Sequence, residues 1–273
     1  MKNNGTGKMF AGFDQGHFTL PQGVLDRRRR LAAFTAASDW PVDPWPAAHA
    51  ALVDQVRAVA DGGPPPDVTA VVAAKAAYEV ITGTLGMVRR QVADELARDV
   101  ELAVTDHADE ILVGHLRPAL EEVLATVTTA AKAAPVEVLT ATDSMLLSAK
   151  DSVRKAALAI DGAALRYQAI RLAHWCVRQT GAGVQQDQSH WFGELKRMEV
   201  AWPTHNVHFP PQRAPWENMT PRARLLYVVT SGGEPWLPTA GEQDARFLEV
   251  HGAAVAAHAD AQRQGRAIAG VFG

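Results

Sequence analysis

The chain has a single cysteine, Cys176, among its 273 residues. One thiol excludes an internal disulfide framework and a zinc site built mainly on cysteines. The chain also lacks an unbroken run of about 18 apolar residues, so no membrane-spanning helix is expected. Its first residues, "MKNNGTGKMFAGFDQG", lack the apolar core of a secretory signal. These absences predict a protein of the cytoplasm, or of an assembly that is built there.

Recognised catalytic motifs are absent as well. No Glu-x-x-His occurs, which ferritin-like di-metal sites require from two of their helices. The stretch "GTGKM" has neither the spacing nor the hydroxyl residue of a phosphate-binding loop. A net charge of −3 gives no overall attraction to nucleic acid or to an anionic membrane. We therefore expect no cofactor, and the sequence favours a protein that is not an enzyme.

What the sequence has in abundance is alanine, in stretches such as "AAFTAA" and "VVAAKAA". Alanine is the strongest helix former, and no convincing period-two alternation points to a sheet. The predicted fold is mainly α, with a long antiparallel helical hairpin and a smaller, mostly helical C-terminal domain rich in Trp and Pro. The predicted divisions are an N-terminal arm with two short helices at 1–66, the hairpin at 67–180 and the C-terminal domain at 181–273, with the linker "DGGPPPD" before the hairpin.

Charge supports the pairing of the two hairpin tracts. Residues 67–134 carry six Lys/Arg against eleven Asp/Glu, a net charge of −5, whereas residues 143–180 carry six against three, or +3. Opposite charges along the rims favour this pairing over self-pairing. In the C-terminal region, Thr220-Pro221 predicts one helix start, and Thr239 with Glu242 forms a capping box that predicts another.

The stretch "ELAVTDHADEILVGHLRP", residues 101–118, holds the densest set of reactive side chains. On a continuous helix, His107 and Glu110 would lie near the apolar stripe, as a buried pair or as ligands of a metal shared with another helix. Alternatively, the helix breaks here, with Asp106 as the N-cap of a new helix and Glu110 in its first turn. The second reading is favoured, and Gly114 and Pro118 also predict a kink or restart near 114–118.

Other histidines give weaker candidates for a site. His205 and His208 in "THNVHFPP" could share a metal ion, with Asp187 or His190 completing the ligands. Ordinary hydrogen bonding in an aromatic-rich turn is the favoured alternative. His174 and Cys176 are two positions apart on a predicted helix and point in different directions, so they cannot form a nucleophile–base pair, and a small core thiol is expected.

Four consecutive arginines, in "DRRRRL", form the basic cluster of the chain. Arg27, Arg28, Arg29 and Arg30 could bind phosphate or an acidic partner subunit. The favoured alternative is a solvated helix whose arginine stems cover apolar neighbours.

The apolar stripe of the first hairpin tract drifts around the helix, so some of its residues must face something other than the second tract. We predict a homo-oligomer assembled through residues 85–127, with Leu112, Leu116 and Leu120 at the interface. A long hairpin cannot be covered along its length by a C-terminal domain of about 90 residues.

The overall layout resembles that of virion or assembly proteins of tailed phages and prophages from high-GC bacteria. The resemblance lies in the flexible arm, the alanine-rich helices such as "VRRQVADELARDVELAV" and the compact end "PWENMTPRARLLYVVTSGGEPWLPTAGEQ". It implies a subunit that works by oligomerisation with itself and with other assembly subunits. Two alternatives stay open: a metal-dependent enzyme around His190, His205 and His208, and a nucleic-acid-associated accessory protein using Arg27–Arg30.

Overall fold

The structure is a computed structural model, and it describes residues 5–37, 45–141, 143–181, 193–204, 214–216, 218–253 and 256. The predicted mainly α fold is confirmed. Its helices are α1 (Gly5–Asp14), α2 (Gln22–Ala36), α3 (Trp45–Ala60), α4 (Thr69–Glu79), α5 (Gly86–Asp106), α6 (Ala108–Glu110), α7 (Arg117–Ala131), α8 (Val136–Leu139), α9 (Asp143–Leu147), α10 (Asp151–Gly181), α11 (Met198–Ala201), α12 (Pro221–Thr230) and α13 (240–253), with π-helical turns at Val80–Leu85 and Ile111–Leu116.

The chain forms two compact units whose boundaries differ from the predicted ones. One unit comprises residues 22–103, and the other comprises residues 1–21 and 104–273. The predicted boundary at residue 66 falls inside the first unit, because α3 and α4 pack against each other across the "DGGPPPD" turn. The predicted boundary after residue 180 falls inside the second unit, because the described C-terminal segments pack on α10.

The larger unit is built around α10, which packs against α7, α1 and α12. The α7 and α10 helices are antiparallel. Glu122 in the middle of α7 pairs with Arg166 in the middle of α10 at 2.6 Å, while Arg117 at the start of α7 and His174 near the end of α10 bind neighbouring carbonyls. The Glu122–Arg166 pair has the rim charges that the sequence predicts. This helical pair is the part of the predicted hairpin that the unit contains.

The first tract of the predicted hairpin is interrupted at His107. The helix that begins at Thr69 continues through the first π-helical turn to Asp106, and His107 then leaves helical geometry with φ −100° and ψ 16°. Asp109 and Glu110 lie in the first turn of the next helix, as the favoured reading predicts, but its N-cap is His107 and not Asp106. A π-helical turn then covers residues 111–116 and overlaps the predicted kink or restart near 114–118.

The C-terminal segments contain an aromatic cluster and two predicted helix starts. Trp216, 1% exposed, lies between Trp202 and Tyr227, with ring centroids 6.0 and 5.8 Å away. The predicted start of α12 is confirmed: the Thr220 hydroxyl accepts a hydrogen bond from the amide of Ala223 at 3.3 Å.

The predicted capping box at the start of α13 is also confirmed. The amide of Glu242 donates to the Thr239 hydroxyl at 3.2 Å, and the Glu242 carboxylate accepts from the Thr239 amide at 2.7 Å. We expect a Thr239→Ala variant to lose about 1 kcal/mol of unfolding free energy, because one helix amide loses its partner. Urea unfolding measures this loss. A Thr239→Ser variant keeps the hydroxyl and should therefore retain most of the native unfolding free energy. Equal losses in both variants would contradict the prediction.

Candidate functional site

Arg171 on α10 is the centre of a polar network that holds the C-terminal segments. Its guanidinium donates to the Tyr167 hydroxyl at 3.0 Å and to the carbonyls of Gly193 and Trp236 at 2.8 and 2.7 Å. It also donates to the carbonyl of Glu194. One side chain therefore binds two separate segments, 193–194 and 236, to the same helix.

The carboxylate of Glu194 completes this network. It accepts two hydrogen bonds from Arg224 of α12, at 2.8 and 2.9 Å, and one from the Tyr167 hydroxyl at 2.9 Å. Burial acts to raise the pKa of Glu194, but the charges of Arg171 and Arg224, with these hydrogen bonds, together hold that pKa below its usual value. The carboxylate stays ionised because it is paired.

A second row of contacts begins about one turn further along α10. The buried His174 donates from Nε2 to the carbonyl of Pro238 at 2.8 Å. Burial, then the nearby Arg171, lowers the pKa of His174 to about 3, so the imidazole is neutral at physiological pH. Arg117 of α7 donates to the carbonyl of Leu237 at 3.1 Å and to Glu242 at 2.6 Å. These contacts join α7, α10 and the start of α13.

The chemistry available to this network is structural. His174 has no accessible proton to transfer, and burial raises the pKa of the Cys176 thiol to about 11. Cys176 is 2% exposed, which agrees with the predicted core thiol. Sequence reasoning missed the network because its members are brought together only by folding: Arg171 and Trp236 are 65 residues apart.

The structure places His107 and Glu110 on the surface, not in a core. Nδ1 of His107 donates to the Glu110 carboxylate at 2.8 Å, and the two side chains are 33% and 56% exposed. No group of three or more His, Cys, Asp or Glu side chains that could hold a metal ion occurs within the described ranges. The metal candidates His190, His205 and His208 lie outside the described residues.

The basic cluster belongs to α2. Nε of Arg27 lies 3.6 Å from Oδ1 of Asp99 on α5, and a guanidinium nitrogen of Arg29 lies 3.1 Å from Oδ1 of Asp26. Arg28 is half-buried, whereas Arg29 and Arg30 are exposed. The cluster therefore points in several directions, and part of its charge is matched by carboxylates of the same unit.

The predicted interface at Leu112, Leu116 and Leu120 is wrong. These side chains are 3%, 0% and 4% exposed within the chain, because α10 packs against the π-helical turn at 111–116 and both α10 and α12 pack against α7. A side chain covered by its own chain cannot contact a second copy. The apolar residues that need cover lie elsewhere.

One further pair of reactive groups joins distant residues. The Thr19 hydroxyl is hydrogen-bonded to Nδ1 of His115 at 2.6 Å, although the two residues are 96 positions apart. A nucleophile would also need an oriented base and donors for an oxyanion. Among the described residues, the imidazole of His115 has no partner other than Thr19, so the pair reads as a surface hydrogen bond.

Exposed large apolar side chains occur in both units, but the unit of residues 22–103 has few buried ones beside them. Among its described residues, the only buried hydrophobic ones are four small or β-branched side chains, Val24, Ala74, Val100 and Ala103. Six larger apolar side chains around α4, the first π-helical turn and the start of α5 are 38–65% exposed. We call this set the arm surface: Val68, Val72, Tyr78, Val80, Met87 and Val88.

Most of the arm surface lies on a long helix that is apolar enough to cross a membrane, whereas the sequence predicted no membrane-spanning helix. The helix from Thr69 to Asp106 has 38 residues and contains an 18-residue stretch of which only 6% is buried. By length and composition alone, this helix could cross a membrane. The expectation of no membrane span rested on the lack of an unbroken apolar run, and here small and polar residues are interspersed with apolar ones.

Comparisons with models of protein families, with curated proteins and with solved structures found no match to this chain.

Proposed function

We propose that the protein is a non-enzymatic structural or assembly subunit that acts by associating with copies of itself. The observation that carries this proposal is the arm surface in the unit of residues 22–103. A domain of about this size normally buries over half of the surface its chain exposes when unfolded. Only four hydrophobic side chains are buried in the described part of this unit. On this proposal, the cover that such an exposed apolar surface needs comes from a second copy of the chain.

A second protein surface is a better cover for this helix than lipid. Lys75 and Glu79 are exposed within the apolar stretch. Each charge near the middle of a bilayer costs about 2.5 to 3.5 kcal/mol, whereas a protein partner can pair it. Covering an apolar side chain such as Val72 or Met87 contributes about 1.5 to 3 kcal/mol. A contact with a second copy of the chain can thus both pair the charged side chains of the arm and cover its apolar ones.

The resemblance to virion and assembly proteins of tailed phages supports the same class. That class comprises subunits built from alanine-rich helices that function as parts of a larger structure. On this proposal, other assembly subunits are further partners, and the compact unit around α10 supplies a rigid body from which contacts are made.

The proposal predicts that the chain is oligomeric and that the arm surface holds the oligomer together. We expect the native protein to sediment as a dimer or larger species at tens of micromolar. A double variant, Val80→Glu with Met87→Glu, should sediment as a monomer, because two charges without partners replace apolar side chains in the contact. Its far-ultraviolet circular dichroism should stay close to that of the native protein, since both residues are exposed in the single chain.

A matched control comes from the other unit. Leu158 and Leu165 of α10 are also seven residues apart, and they are 69% and 62% exposed. The double variant Leu158→Glu with Leu165→Glu should keep the native mass. A monomeric native protein would overturn the proposal, whether or not it binds lipid vesicles.

A further inference from the structure

The arm presents a defined face, because α3 packs against the opposite side of α4. Ala74 is buried, and Val71 and Ala77 are half-buried, which marks the covered side. Four residues at steps of three and four are exposed on the other side: Val72, Lys75, Ala76 and Glu79. Residues at this spacing share one face of a helix. The apolar and the charged residues of the arm are therefore presented together.

The exposed charges along this arm alternate in order. Asp67 precedes α4, Lys75 and Glu79 lie on its exposed face, and Arg90 follows the apolar stretch, so their order from the N-terminal end is negative, positive, negative, positive. The neighbouring Arg89 is half-buried and donates to the carbonyl of Thr35 in the same unit. A parallel copy in register places each charge opposite the same charge. An antiparallel copy reverses the order and places unlike charges opposite each other at all four positions.

The register of the antiparallel arrangement is also consistent. Pairing Lys75 with Glu79 of the other copy puts the two-fold axis at residue 77, and pairing Asp67 with Arg90 puts it between residues 78 and 79. The two registers differ by three residues along the opposing helix, or about 4.5 Å at the rise of an α-helix. Lysine and arginine side chains have flexible stems that span such an offset.

We propose that two copies of the chain pair antiparallel through residues 67–90, with Lys75 of each copy opposite Glu79 of the other and Asp67 opposite Arg90. The contact is of the coiled-coil type, centred between residues 77 and 79, and it covers Val72, Val80 and Met87 of the arm surface. This inference rests on the proposed function and adds the partner's orientation and the residues that select it. Like-charge repulsion excludes the parallel arrangement.

Cross-linking tests the orientation directly. Two proteins, Asp67→Cys and Arg90→Cys, carry different tags, are mixed, and are treated with a short bismaleimide. The native Cys176 is 2% exposed and contributes little. The antiparallel contact is expected to give the mixed 67–90 product in clear excess over the 67–67 and 90–90 products. A parallel contact gives the reverse.

Charge exchange tests the pairing at the centre. A Lys75→Glu variant or a Glu79→Lys variant is expected to raise the dissociation constant about tenfold, because two attractive contacts become repulsive. The double exchange, Lys75→Glu with Glu79→Lys, should return it close to the native value at unchanged net charge. Circular dichroism of each variant checks that the helix content is kept.

The outcomes separate this inference from the proposed function. An oligomeric native protein that yields the 67–67 and 90–90 products overturns the antiparallel pairing and leaves self-association standing. An oligomer whose mass and dissociation constant do not respond to any of the charge exchanges also overturns the pairing. A monomeric native protein overturns both.

Discussion

An Arg171→Met variant is expected to lose about 3 to 5 kcal/mol of unfolding free energy. Methionine keeps much of the side-chain volume but removes every hydrogen bond of the guanidinium. The carbonyls of Gly193 and Trp236 would lose a donor, and the ionised Glu194 would lose one of the two cations that offset its burial. The loss is large because these groups are partly buried, so water replaces the missing donor only in part.

Urea unfolding followed by tryptophan fluorescence measures this loss, since Trp175, Trp202, Trp216 and Trp236 all lie in the unit that contains Arg171. The control is Arg197→Met in the same unit. Arg197 pairs with Glu234 at 3.3 Å, but the two side chains are 49% and 52% exposed. An exposed pair of this kind contributes at most about 1 kcal/mol. Similar losses in the two variants would show that the Arg171 network does not hold the unit together.

Acid is expected to destabilise the same unit through His174. The folded protein keeps this imidazole neutral down to a pKa of about 3, whereas the unfolded chain binds a proton near the ordinary histidine pKa of about 6.5. Between these values the unfolded state holds more protons than the folded state. The contribution of His174 to the unfolding free energy is therefore fully present above about pH 6.5. It falls as the pH is lowered, by about 1.4 kcal/mol per pH unit, or about 2 kcal/mol by pH 5.

Urea midpoints at pH 7, 6 and 5 measure this dependence. This pH range lies above the one in which Glu194 and Glu242 affect stability. Their pKa values are lowered in the folded protein, so the stability they add is lost only in stronger acid. The comparison is with His174→Gln, which cannot take up a proton and should show a smaller fall in stability between pH 7 and pH 5. A fall of the same size in the variant would assign the acid sensitivity to other groups.

Local signals accounted for much of the helical framework. The Thr239–Glu242 capping box and the Thr220 cap act within three residues, so their geometry follows from neighbours in the chain. The break after Asp106 was favoured because continuing the helix would have placed His107 and Glu110 near its apolar stripe. The predicted N-cap, Asp106, is one residue away from the observed one, His107, because only the backbone angles show which of two adjacent residues leaves helical geometry.

The candidate site was placed less well, because the sequence pattern does not say which apolar residues a neighbouring helix covers. Leu112, Leu116 and Leu120 were expected at an interface, but α10 and α12 pack against the segments that hold them. Large apolar residues left exposed include Val72, Val80 and Met87, further toward the N-terminus, and Leu158 and Leu165 of α10. An apolar stripe looks the same in sequence whether its partner is the same chain or another copy.

By itself, the sequence determined that the chain is helical, where several of its helices begin, and that the tract at 143–180 carries charge opposite to that of the tract at 67–134. Alanine content, caps and side-chain charge act over a few residues, and they need no knowledge of the fold. Only the tertiary structure decided that Arg171 would bind carbonyls 22 and 65 residues away, and that the unit of residues 22–103 would keep its apolar side chains exposed. Contacts at such separations depend on how all the helices pack together, because each carbonyl and each apolar face has many alternative partners until the chain has folded.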